Sequence, residues 1–76
     1  MFTPEQLDGI KWQQIVAHMT PRKQYTVEVT WALDHYRVTL KSNLVNRDIK
    51  RYKARFLRTA VSTANRLLRQ HAQHEI

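Results

Sequence analysis

The order of apolar and polar positions divides the chain into three stretches with different periods. In the first, Trp12, Ile15, Val16 and Met19 follow the i, i+3, i+4, i+7 spacing of an amphipathic helix. A helix start stands ahead of it. Thr3 offers a capping hydroxyl, Pro4 takes the first helical position, and Gln6 lies three residues after Thr3, as a capping box requires. Phe2 and Leu7 flank that start as a hydrophobic staple. Gly9 weakens the middle, and Thr20-Pro21 ends the stretch, because the residue before proline is pushed out of helical conformation. The pattern predicts a helix over about 4–19.

The second stretch changes to a period of two. Tyr25, Val27, Val29, Trp31 and Leu33 alternate with Thr26, Glu28, Thr30 and Ala32; Tyr36, Val38 and Leu40 then alternate with Arg37, Thr39 and Lys41. This predicts a β-hairpin over about 25–41. With Asp34 and His35 at the tip, Leu33–Tyr36, Trp31–Val38 and Val29–Leu40 pair on one face, and Thr30–Thr39 and Glu28–Lys41 pair on the other.

Beyond a linker at 42–46, in which Asn43 or Asn46 is a candidate cap, the helical period returns. Ile49, Tyr52, Phe56, Ala60, Thr63, Ala64 and Leu67 project within one stripe, flanked by Leu57 and Leu68. At 100° per residue the opposite side collects Arg47, Arg51, Arg55, Arg58, Ser62, Asn65, Arg66 and Arg69. The expected element is a long basic helix over about 47–72. The fold class that follows is α+β, a single domain over 1–76 in the order α-β-β-α, with both helices covering the hairpin. At 1.5 Å per residue the last helix runs about 39 Å, longer than the hairpin, so Leu67 and Leu68 at its end would need a neighbour. A homodimer is the expected remedy.

Charge sharpens this picture. The net charge is +7, yet residues 1–46 carry five basic groups against four acidic ones, while residues 47–76 carry eight against two. No Asp or Glu occurs from Ile49 to His74. Such crowding repels itself and attracts polyanions or an acidic protein surface. With no cysteine, disulfides cannot staple so short a chain, and a reducing, cytoplasmic setting is expected. The longest apolar runs, Ile15-Val16-Ala17 and Trp31-Ala32-Leu33, are too short to span a membrane, so no membrane partner is expected.

The candidate phosphate-binding residues are Arg47, Lys50, Arg51, Arg55, Arg58, Arg66 and Arg69. Guanidinium groups grip phosphate through a rigid fork, so arginine in this number favours anion contacts over mere solubility. The predicted arginine face would extend about 33 Å, close to one turn of duplex. Trp31 and Phe56 fall on apolar faces and are expected in the core rather than in a base-stacking platform. His71 and His74 have only Glu75 as a further ligand, so no metal is expected. No nucleophile with a matched base and no phosphate-cradling glycine loop is present; neither an enzyme nor a cofactor is indicated. Lys50, Arg51 and Lys53, opening a basic helix after strands, resemble over a short stretch the end of a double-stranded-RNA-binding domain. That family has three strands and a glycine-containing loop between the first two, against two strands and no such loop expected here, so no residue role is carried over. Two functions fit. One is a small regulatory or accessory module binding nucleic acid, DNA or RNA, through the arginine face. The other is an inhibitor or adaptor, of the kind phages encode, that docks the same helix on a host enzyme.

Overall fold

The computed structural model of the chain describes residues 1–10 and 14–76. Six elements follow one another: α1 (Pro4–Leu7), β1 (Ile15–Met19), β2 (Tyr25–Ala32), β3 (His35–Ser42), β4 (Arg47–Ala54) and α2 (Leu57–Ala72). The strands form one antiparallel sheet in the order β1-β2-β3-β4, a simple meander. The class is α+β as expected, but the predicted α-β-β-α order gains two strands, each replacing part of a predicted helix.

At the amino end the capping box forms as read. The Thr3 hydroxyl accepts from the Gln6 N–H at 3.3 Å, and the Gln6 side chain accepts from the Thr3 N–H at 3.3 Å. Phe2 and Leu7 are both buried. The helix stops after one turn, however, and Gly9 turns the chain at a φ of +74°. Ile15–Met19 is then a strand instead of the rest of a helix over 4–19. Tertiary context decides this: β-branched Ile15 and Val16 suit a pleat, and β2 offers an unpaired edge on which Val16 meets Val29. Trp12, the remaining member of the predicted stripe, lies outside the described residues.

The predicted hairpin is β2–β3, with its register moved by two residues. Leu33 and Asp34 make the turn, so Trp31 faces Tyr36, Val29 faces Val38, Val27 faces Leu40 and Glu28 faces Thr39. A shift of two keeps every side chain on its expected face. The cost is a leucine at φ +58°, in a region that glycine fills more easily. Glu28 and Lys41, no longer directly opposite, still meet diagonally at 3.3 Å.

The larger correction concerns residues 47–54, which form strand β4 and not the first half of a long helix. A helix here would stack Arg47 on Arg51 and Arg51 on Arg55, and like charges four apart oppose helix formation. A strand separates them and pairs Tyr52 with Val38 and Ala54 with Tyr36. Asn46, at φ +52°, takes the left-handed turn position, and Asn43 ties the loop to residues Lys23 and Thr26; neither caps a helix. From residue 57 onward the predicted period is right, and Ala60, Ala64, Leu67 and Leu68 are buried.

Helix α2 packs across one face of the sheet, against β2, β3 and β4, with α1 beside it. Val27, Val29, Val38 and Leu40 fill the interface. Because β4 shortens the helix, its end does not overhang: Leu67 is 2% and Leu68 8% exposed within their own chain. The packing reason for a homodimer is thereby removed. Phe56 and Ile49, expected in the core stripe, are exposed, at 71% and 44%. Side-chain clamps hold the ends of the helix layer. Asn65 donates to the Phe2 carbonyl at 2.9 Å and accepts from the Phe2 N–H at 2.8 Å. Among the described residues no helix is long and apolar enough to cross a membrane.

Candidate nucleic-acid interface

The fold divides the predicted arginine face between opposite sides of the molecule. Arg47, Lys50 and Arg51 lie on β4, Arg55 lies in the connection after it, and only Arg58, Arg66 and Arg69 lie on α2. With Ala60, Ala64, Leu67 and Leu68 turned to the sheet, the three helix arginines occupy the outward stripe, about 16 Å from first to last. Arg51 instead lies on the face of the sheet that α2 leaves open. A single 33 Å ridge does not exist.

The open face has its own basic cluster, built from the strand register. One row across β2, β3 and β4 reads Thr30, Arg37, Lys53; the next reads Glu28, Thr39, Arg51; the third reads Thr26, Lys41, Asp48. Two of the four basic residues have acidic partners. Lys41 meets Glu28 at 3.3 Å, and Arg51 meets Asp48 at 2.9 Å. Arg37 and Lys53 face each other directly, both exposed, with no ion pair to either among the described residues. Directly opposed like charges destabilise a sheet, so the pair is a cost to the fold. Protection of an exposed sheet edge accounts for basic residues on β4, one of the two edge strands. It does not account for Arg37, which lies on the interior strand β3.

The nearest acidic influence on Lys53 comes from Asp34 in the turn. The hydrogen bond from His35, at 3.0 Å, holds the Asp34 carboxyl below its ordinary range, and the charges of His35 and Lys53 add to the effect. Asp34 is bonded to His35 and forms no ion pair with Lys53 among the described residues. Toward β1 the open face loses charge: Ile15, Ala17 and Met19 form an uncharged border beside Thr30, Glu28 and Thr26.

The other acidic group of the carboxyl-terminal half is also committed. Glu75 accepts from the Thr20 hydroxyl and from the N–H groups of Arg22 and Gln24, the latter two at 3.0 Å. Burial alone would raise its carboxyl, but these hydrogen bonds, with the charge of Arg22, hold it below the usual range. Glu75 therefore fastens the end of the chain to the β1–β2 loop and is not a ligand beside His71 and His74, whose rings pack edge to face at 5.9 Å.

Sequence reasoning missed Arg37 and Lys53 as partners, because each is unremarkable until β4 is known to be a strand. The available signal was the alternation of Lys50, Tyr52 and Ala54 with Arg51 and Lys53. One further feature stands apart from the sheet. Exposed Phe56 lies between Arg55 and Arg58, against an open groove of about 830 Å³ whose lining includes Pro4, Leu57 and Val61. Compared with known protein families, curated proteins and solved structures, the chain finds no match.

Proposed function

We propose that this protein is a small, cytoplasmic nucleic-acid-binding module with a regulatory or accessory role, and that it holds phosphates on the open face of its sheet. The observation that carries this reading is Arg37 opposite Lys53, two exposed cations paired across the strands with no acidic group between them. Their repulsion falls when a polyanion lies over both, so binding returns a cost the free protein bears. Arg51 adds a third basic group in the adjacent row, with Asp48 tethering its guanidinium. In this reading Arg47, Lys50 and Arg55 contribute long-range attraction from the β4 edge, and Arg58, Arg66 and Arg69 face away from the bound strand.

The test is a salt titration of nucleic-acid affinity. If Arg37, Arg51 and Lys53 each neutralise a phosphate, log affinity falls with log salt at a slope near −3. A slope near zero, or affinity too weak to measure at low salt, contradicts the proposal. Phe56 favours a second reading, a docking function on an acidic protein surface, because an exposed aromatic flanked by arginines is the usual composition of a protein-binding anchor. That reading makes Phe56→Ala the damaging change and leaves Lys53→Ala harmless.

A further inference from the structure

Resting on the nucleic-acid reading, we infer that the ligand of the open face is double-stranded DNA in the B form, entered from the major groove by the β3–β4 ribbon. Three observations lead there. The first is what the face omits. Tyr25 and Trp31 on β2, Tyr36 on β3 and Tyr52 on β4 share the register positions of Val27, Val29 and Val38, so all four belong to the side covered by α2. No Phe, Tyr or Trp of the described strands lies on the open face to stack an unpaired base, and His35, which shares that face, is held at its end by Asp34 at 3.0 Å with 13% of its side chain exposed. Single-strand binders depend on such stacking.

The second observation is where the positive charge lies. Arg37 and Lys41 are on β3, Arg51 and Lys53 on β4, and β4 is an edge strand. The basic half of the face is therefore a two-stranded ribbon at the sheet's edge, free to enter a groove while β1 and β2 stay outside it. The third is size. Neighbouring strands lie about 4.8 Å apart, and with their side chains a pair of them fills the roughly 12 Å major groove of B-form DNA, whereas the roughly 6 Å minor groove is too narrow. The major groove of an RNA duplex is deep and narrow and does not admit side chains, so the β3–β4 ribbon has no comparable seat there. The neutral border of β1, with Ile15 and Met19 exposed, rests outside the groove and carries none of the phosphate contacts.

The experiment compares one sequence in four forms: a DNA duplex, the matching RNA duplex, and each DNA strand alone, titrated into the intact protein at fixed salt. The inference predicts at least tenfold tighter binding to the DNA duplex than to the other forms. It also predicts displacement by methyl green, which occupies the major groove, and not by netropsin, which occupies the minor groove. Arg37→Ala and Lys53→Ala, both at exposed positions, should each weaken DNA-duplex binding several-fold while the circular-dichroism spectrum stays unchanged. Equal or tighter binding to single strands or RNA duplex, or displacement by netropsin alone, overturns the inference while the nucleic-acid reading stands. Binding to none of the four forms overturns both.

Discussion

The open face of the sheet and the outward stripe of α2 both carry uncompensated arginine, but the fold explains the second and not the first. Arg69 lies in the last turn of α2, where the helix dipole favours a cation, and Arg58 and Arg66 are two turns apart with solvent around them. Nothing in the stability of the domain asks for them to bind anything. Arg37 and Lys53 are directly opposed in the sheet, one of them on an interior strand, and the fold would be better served by a neutral pair. A charge whose position opposes folding is a stronger guide to function than a larger number of charges placed where folding tolerates them.

Paired charge removals distinguish the two surfaces most strongly. Arg37→Ala with Lys53→Ala and Arg66→Ala with Arg69→Ala each remove two positive charges, so an effect of net charge alone treats them alike. The sheet pair should lose about 2 kcal/mol of DNA affinity, roughly thirtyfold, and flatten the salt slope by about 2. The helix pair should change affinity less than about threefold. Equal losses would erase the distinction between the two surfaces.

Stability should respond with the opposite sign. Lys53→Thr removes the like-charge opposition and leaves a residue suited to a strand, so the free protein should gain several tenths of a kcal/mol in denaturant unfolding. Arg69→Ala removes a cation from a helix end and should lose a similar amount. Stabilisation by Lys53→Thr together with weaker DNA binding would mark that position as kept for binding.

Acid titration separates the helix layer from the open face of the sheet. The carboxyl of Glu75 is depressed in the folded state, so its contribution is fully present above its unfolded value of about 4.5 and is lost as pH falls through the folded value. Glu75→Gln should remove that part of the acid-unfolding profile and leave DNA affinity at neutral pH unchanged. The smallest effect expected is at Glu28 and Lys41, whose exposed ion pair should give a coupling of no more than about 1 kcal/mol in a double-mutant cycle.

Much of this fold is legible in the sequence where local chemistry and tertiary packing agree. The Thr3–Gln6 box, the alternation from Tyr25 to Lys41 and the period from Leu57 to Leu68 each serve the same element alone and in the fold. The hairpin register slid by two because Leu33 accepts a positive φ that its side chain disfavours, for which local preference gives no sign. Ile15–Met19 and Arg47–Ala54 were illegible for a different reason. Ile15, Val16 and Met19 fit a period of 3.6, Ile49 and Tyr52 stand three apart because the β3–β4 pairing slips between Leu40 and Lys41, and only the free edges of the β2–β3 hairpin make strands of both segments. The candidate site inherited that error. Counting basic residues along one imagined helix gathered Arg47 through Arg69 on one face, whereas the strand places Arg51 and Lys53 beside Arg37.

In the proposed function the open face of the sheet, and not the helix, meets nucleic acid. Its most direct test is an NMR titration of the labelled protein with a short DNA duplex, followed through backbone amide and arginine side-chain signals. The shifts should concentrate on Arg37, Thr39, Arg51 and Lys53, while Arg58, Arg66 and Arg69 stay in place. Shifts concentrated on those three helix arginines, with the open face silent, would contradict it.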